Sequence, residues 1–564
     1  MCIRDRKIST AQIGMFLENA NVPEIAYAVV TALCAPRNSN AMSESLDNFN
    51  TSHLQEWKST LRTDSEITEA PCNLRIIATL TGMISAYTAH KICDSTRANY
   101  LNLDFEYKKK TIFNFDENQN IISESQKEYQ LHYPKDGWVE ANPDEILGTV
   151  KETIKKALET SEVDIAACGI TNQRETVVVW DRLSGKPIYP AIIWQDRRTS
   201  DLCNELKKKE NLESEIREKT GLLLDPYFSA TKIKWILDNV ENARKMAENG
   251  ELCFGTIESF LIWNLTEEKN HKTDATNASR TMLMNLETLE WDDSLLEIFN
   301  IPKNILPEIC SCDDTFGSIN LFDQKFPITG VIGDQQSALF GQNCFELGEM
   351  KSTYGTGCFL MVNTKEKIYE SQARLLSTVG CMLGKSVSYA LEGSIFSAGT
   401  SIQWLRDEMQ FFDDSSESED LINDKFDSKG VNFIPAFTGL GAPHWNSEIR
   451  GSIHGIQRDS SKEDLTTAVF KAICFQTLEI VEALETDGVS VSSLKVDGGM
   501  VKNRKFLQLL SNTLSTNVKK PDQIESTAVG AFKIAFLGSG IKDIDEIQEI
   551  GTYDEVKSKQ SHQL

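Results

Sequence analysis

The stretch GVIGDQQSALFGQ, Gly330 to Gln342, puts an acid where an apolar strand, Ile328 to Ile332, gives way to a small-residue helix. A carboxylate at that corner lies close to a helix N-terminus and can accept a proton or a ligand hydroxyl held beyond the sheet edge. The same Asp334 could instead cap the helix 335–340 by satisfying its first amides. A second polar cluster, Asn172–Gln173–Arg174–Glu175, interrupts two apolar strands in GITNQRETVVVWD. Arg174 offers a fork of donors and Glu175 an acceptor, enough to hold neighbouring hydroxyls. From spacing alone, a surface turn with an ion pair fits equally well.

Two glycine-bearing turns could meet an anion. TYGTGCF, Thr353 to Phe359, sets two glycines around a threonine between strands, which lets backbone amides and a hydroxyl approach a charged ligand. VDGGM, Val496 to Met500, stands just before a helix at Asn503. Each signal is weak alone. GCMLGKS, Gly380 to Ser386, is not a Walker loop: it has three residues between its glycines, and VSYALEG after it alternates like a strand.

The elements that must position these residues follow an α/β pattern from about residue 99. Strand-like runs include TIFNF, DIAACGI, TVVVWD, AIIW, ITGVIGD, CFLMVNT, SVSYALEG, VNFIPAF and SLKVDGGM. Helix-like runs are 143–160, 199–209, 231–239, 465–483 and 503–511. The pattern occurs twice, each half opening with a strand–turn–strand unit, 100–115 and 351–363. Two similar lobes with a cleft between them are expected. The 564 residues exceed what one core usually serves.

Charge and cysteine usage narrow the function classes. A net charge of −25 repels phosphate backbones, so nucleic acid is excluded as a partner, and any bound phosphate must be held locally. The 13 cysteines and 7 histidines are scattered without zinc spacing, which suggests reduced thiols and a cytoplasmic location. No apolar run is long enough to span a membrane. Residues 1–98 stand apart, with only Gly14 and Gly82 and a linker-like NSNAMSESLDNFNTS. They read as a largely helical or disordered extension of no assignable role. The opening MCIRDR lacks signal-peptide form and reads as non-native sequence.

GITNQRETVVVWD, AIIWQDRRT, DPYFSATKIKWILDNV, GTIESFLIWNLT, TDATNASRTML, GDQQSALFGQ, STYGTGCFLMVNT, ALEGSIFSAGTSIQWLRDE, PAFTGLGAPHW and VDGGMVKN occur in that order over roughly 112–548. Together they resemble the glycerol-phosphorylating branch of the FGGY carbohydrate-kinase family. The resemblance implies two ribonuclease-H-like (actin-like ATPase) lobes, 99–342 for glycerol and 343–550 for the nucleotide, then a short tail, 551–564. It implies transfer of the ATP γ-phosphoryl group to a terminal hydroxyl of glycerol, with Mg²⁺; homo-oligomer formation is left open. Carried over by position, Arg174, Glu175, Tyr227, Asp334 and Gln335 would hold the glycerol hydroxyls, with Asp334 as general base. Trp194 and Phe359 would face the carbon chain, and Thr356, Gly399, Gln403, Gly499 and Asn503 would contact the nucleotide.

One stretch departs from that pattern. The family opens with a strand, an Asp and a loop of Gly, Thr and Ser ending in Arg. Here YLNLDFEYKKKTIFNF holds the place, with Asp104 on the metal-associated Asp and Phe105 to Thr111 in place of the loop. No glycine occurs from Met83 to Asp136, so the tight amide-lined turn is absent, and lysines offer only mobile point charges. A non-catalytic polyol binder therefore stands as the alternative to an active kinase, with a kinase for another polyol or a ketopentose third.

Overall fold

In a computed structural model of the chain, residues 98–564 form one unit. The structure describes residues 99–559 except 107–108, 117–119, 160–164, 447, 524, 541–546 and 548–551. The expected extension 1–98 lies outside the described residues.

The first sheet has six strands in the order Gly317–Leu321, Gln324–Gly333, Ile165–Asn172, Asn99–Glu106, Lys109–Phe115, Ile121–Glu128. Asn99–Glu106, Lys109–Phe115 and Ile121–Glu128 form an antiparallel meander. Ile165–Asn172 and Gln324–Gly333 then continue parallel to the first of them. Ile165–Asn172 is buried along nearly its whole length, as expected of a parallel strand covered on both faces. The second sheet repeats this plan. Glu349–Tyr354 and Cys358–Lys365 open as an antiparallel hairpin, Ser386–Ile395 adds to it antiparallel, and Ser493–Asp497 and Val518–Pro521 extend it in parallel. The expected pair of lobes, each opening on a strand–turn–strand unit, is what forms. GCMLGKS falls on the two antiparallel strands Leu376–Leu383 and Ser386–Ile395 and their turn, in agreement with its reading as no phosphate loop.

Several elements were not anticipated. Helix Ser526–Gly538 is apolar nearly all round and correspondingly buried. It packs on the first sheet and on helix Asp334–Gly341, with Thr329 Oγ1 donating to the Ala535 carbonyl at 2.7 Å. Strand Leu376–Leu383, at the edge of the second sheet, docks on first-lobe residues: Ser377 N donates to the Gly221 carbonyl at 3.0 Å and Cys312 N to the Met382 carbonyl at 2.7 Å. Residues 551–564, expected as a plain tail, contribute the edge strand Tyr553–Val556. VNFIPAF forms only the short strand Asn432–Ile434. Where the family loop was missed, the strands run to Glu106 and resume at Lys109, with Phe105 opposite Lys110. Residues 107–108 lie outside the described residues.

Candidate active site

Asp334 begins helix Asp334–Gly341 directly after strand Gln324–Gly333. The helix N-cap is Gly333, so the capping role weighed for Asp334 is not the one it takes. Its Oδ1 accepts from the adjacent Gln335 amide at 2.7 Å and faces Arg174 Nε at 3.1 Å. The side chain is 26% exposed, enough to be reached from outside. Burial raises its proton affinity above the usual carboxylate range, and the charges of Arg174 and Lys351 offset part of that rise.

Arg174 follows the parallel strand Ile165–Asn172 and is buried. Its Nη1 donates to Glu392 at 2.5 Å and to Gln336 at 3.1 Å, and its Nη2 donates to Glu392 at 3.2 Å. Glu175 takes a left-handed backbone conformation, φ 61°, uncommon for a residue with a side chain. Its carboxylate accepts from Arg280 Nε at 2.6 Å, and Arg280 Nη2 donates on to Glu392 at 2.9 Å. A ladder of alternating charge thus runs Asp334, Arg174, Glu392, Arg280, Glu175. Burial opposes ionisation of Glu392, but the two guanidiniums outweigh it and hold its carboxyl below the usual range. For Glu175, burial wins over Arg280 and Arg174, and its proton affinity is raised.

Gln335 is buried and its Oε1 accepts from Lys351 Nζ. Lys351, on the second-lobe strand Glu349–Tyr354, also donates to Thr353 Oγ1 at 3.0 Å and to the Phe359 carbonyl at 3.3 Å. Burial lowers its proton affinity against the pull of Asp497 and Asp334. Trp194 meets Tyr227 edge-on at 5.7 Å and Phe359 at 6.1 Å between ring centres. The three aromatics form one wall with members from both lobes. Tyr227 and Arg174 are also within electrostatic range of each other. The residues expected to hold a polyol are therefore brought together.

The residues expected to contact a nucleotide gather at the end of the second sheet. Thr356 is exposed in the turn between Glu349–Tyr354 and Cys358–Lys365. Its carbonyl accepts from Ala398 and Thr400 amides at 3.1 and 3.0 Å, so the turn rests on the start of helix Gly399–Asp407. Gly399 N donates to the Gly355 carbonyl at 2.9 Å, and a Cβ there would stand 2.4 Å from that oxygen. Gly498, at φ 91°, brings the Gly499 turn against Tyr354 in the same way. Gln403 is exposed one turn along the helix from Gly399. Asn503 caps helix Arg504–Leu514 through Oδ1, which accepts from Phe506 N at 2.8 Å, while its buried Nδ2 has no partner.

For a divalent cation, the backbone places Asp104 beside Thr171 and Thr171 beside Ile332, two residues before Asp334. Among the described residues no group of three His, Cys, Asp or Glu side chains could hold a metal alone. Mg²⁺ bound through phosphates needs only one or two carboxylates, so this donor set fits it. Buried Asp497 Oδ1 also has no hydrogen-bond partner, while Oδ2 accepts from Gln342 at 2.8 Å.

Glu392, Arg280, Lys351 and Gln336 were not singled out in the sequence. Each lies inside or beside a motif quoted above, such as ALEGS, TDATNASRTML and GDQQS.

Residues 100–341 match the model of the N-terminal domain of the FGGY family of carbohydrate kinases, and 350–539 match that of its C-terminal domain. Glycerol kinase of Alteromonas mediterranea is 50% identical over 448 residues, 78% of this chain and 91% of that protein. Glycerol kinase 1 of Pseudomonas aeruginosa is 49% identical over 432 residues, 76% of this chain and 87% of that protein. The crystal structure of Plasmodium falciparum glycerol kinase with ADP superposes with a TM-score of 0.77 at 38% identity, covering 82% of this chain and 94% of that one.

Proposed function

Since the chain belongs to the FGGY family of carbohydrate kinases, we propose that it is an ATP-dependent glycerol kinase, forming sn-glycerol 3-phosphate in glycerol catabolism. The observation that carries this reading is the cluster of Asp334, Arg174, Glu175 and Gln335 beside the aromatic wall of Trp194, Tyr227 and Phe359. Relatives named glycerol kinase at about half identity favour it over the non-catalytic polyol binder.

The chemistry follows from the side chains. A primary hydroxyl is a poor nucleophile near neutral pH. Asp334, within reach of the substrate and lifted in basicity by burial, orients that hydroxyl and accepts its proton as the phosphoryl group transfers. Of the five N–H groups of Arg174, Glu392 takes two, Gln336 one and the Asp334 side one. That leaves an Nη2 hydrogen for a substrate hydroxyl. Glu175 and Gln335 supply further partners, and a site built to bond hydroxyls rejects analogues lacking them. The apolar wall takes the carbon chain. Thr356, Gly399, Gln403, Gly499 and Asn503 hold the nucleotide, supported by the stacking of the Thr356 turn on helix Gly399–Asp407. Asp104 would hold Mg²⁺, which would neutralise phosphate charge when bound.

The lobes are taken as 99–342 and 343–550. Among the described residues no helix is long and apolar enough to cross a membrane. A cytoplasmic location is supported by buried free thiols such as Cys168, Cys312 and Cys474.

The test is ATP-dependent phosphoryl transfer by the purified chain to glycerol, ribulose, xylulose and gluconate. Glycerol should be the preferred acceptor. A ketopentose outperforming it would overturn the substrate assignment, and glycerol binding without transfer to any acceptor would restore the non-catalytic reading.

A further inference from the structure

Glu392 lies on strand Ser386–Ile395 of the second lobe, yet its carboxylate binds two arginines of the first. Its side chain is fully buried, as are those of Arg174 and Arg280 to within 2%. Such an arrangement is poorly explained by stability. Buried ion pairs lose about as much in desolvation as they gain in attraction, and apolar replacements are often neutral or better. What the arrangement does achieve is orientation. Arg174 is gripped by both Glu392 oxygens, which fixes the plane of its fork and aims Nε at Asp334. Arg280, held at one end by Glu392, fixes Glu175 at the other.

We infer that Glu392 is a positioning residue for the transfer proposed above: from the second lobe it anchors Arg174 directly and Glu175 through Arg280. The inference rests on that functional reading.

The electrostatic consequence has a sign. The charged groups facing Asp334 are Arg174 and Lys351. Those facing Glu392 are Arg174, Arg280, Lys351, Glu175 and Tyr227, and Lys351 also faces Asp497. Glu392 neutralises part of the Arg174 charge. Replacing it with a neutral residue exposes Asp334 to more of that charge and lowers the pH at which Asp334 loses its proton.

Glu392→Gln keeps the shape and one acceptor, so it is the primary variant, with Glu392→Asp as the conservative control. Glycerol KM in Glu392→Gln should rise on the order of tenfold or more, with ATP KM unchanged. The acid limb of its kcat/KM profile should move to lower pH, and Glu392→Asp should recover most of both effects. A lower melting temperature with unchanged glycerol KM and an unmoved acid limb would make Glu392 merely structural and overturn the inference. Glycerol affinity by calorimetry is measured alongside. If wild type binds glycerol without turnover, the same comparison is made on affinity and its pH dependence. Wild type that neither binds nor phosphorylates glycerol overturns the functional reading and this inference together, whereas active wild type with an indistinguishable Glu392→Gln overturns this inference alone.

Discussion

Arg174 Nε lies 3.1 Å from Asp334 Oδ1, so the group proposed to accept the proton already has a cation against it. Burial raises the proton affinity of that carboxylate, and the cation offsets part of the rise. Asp334→Asn keeps the shape and removes the acceptor. Turnover should fall by about 10²–10⁴, with the melting temperature little changed and glycerol still bound. Steady-state rates with a melting curve check this. Full activity in the variant would leave Asp334 with no role in proton transfer.

Arg174→Ala acts differently. It removes the donor proposed for the substrate and leaves Arg280 as the ion-pair partner of Glu392. Glycerol binding should weaken by about 1–3 kcal/mol, the usual cost of a buried partner left unpaired. Some stability should be lost with it. Calorimetric titration of glycerol reads the first effect and denaturant unfolding the second. An unchanged affinity would place Arg174 outside the substrate site.

Lys533 gives a pH prediction. It is buried in helix Ser526–Gly538, and its ammonium donates to the Gly341 carbonyl at 3.1 Å and to Asn343 Oδ1. Burial, with neighbouring Lys495, lowers its pKa to about 7, against a small opposing effect of Cys344. The unfolded chain keeps the ordinary value of about 10.4. Between those pH values the unfolded state binds more protons, so this residue makes stability rise with pH from about 7 to about 10. Below that window both states are protonated and the full cost of burying the charge is present. Melting temperatures of wild type and Lys533→Met should therefore diverge across the window, with wild type gaining on the variant as pH rises. Parallel curves would show that Lys533 stays charged in the folded state.

Legibility from sequence followed the range of the interactions. The paired opening hairpins were visible because their alternation is local, and Asp334 and Arg174 stood out because polar residues interrupt apolar strands. Glu392 gave no such signal. It sits in an alternating strand, and its partner Arg174 is 218 residues away. Arg280 and Glu175 are 105 apart. Helix Ser526–Gly538 escaped notice because burial on all sides removes the polar face that helical periodicity depends on. Strand Leu376–Leu383 is defined largely by pairing with Ser386–Ile395 and by docking on the first lobe, both tertiary effects. Gly333 takes the N-cap position expected of Asp334, which becomes the first helical residue, its carboxylate shared between the Gln335 amide and Arg174.

The crossing of helices Asp334–Gly341 and Ser526–Gly538 gives the last prediction. A Cβ on Gly530 would lie 1.9 Å from the Ser337 carbonyl oxygen, and one on Gly341 would lie 2.1 Å from that of Ser526. Both obstacles are backbone, so neither can rotate away. Gly530→Ala must therefore push the two helices apart. Overpacking of this kind costs about 1–3 kcal/mol, and a lower melting temperature should show it. The helix that moves carries Asp334 at its first position and Gln335 at its second. Misplacement by about 1 Å can cost about 10² in rate, so turnover in the folded Gly530→Ala variant should fall well beyond what lost folding explains. Gly384→Ala is the control: its φ of 53° carries backbone strain, but no heavy atom lies within 4 Å of its Cβ position and it sits in an exposed turn. It should cost some stability and leave turnover per folded molecule intact. If Gly530→Ala behaves like Gly384→Ala, with stability lost and turnover unchanged, the helix crossing does not set the position of Asp334.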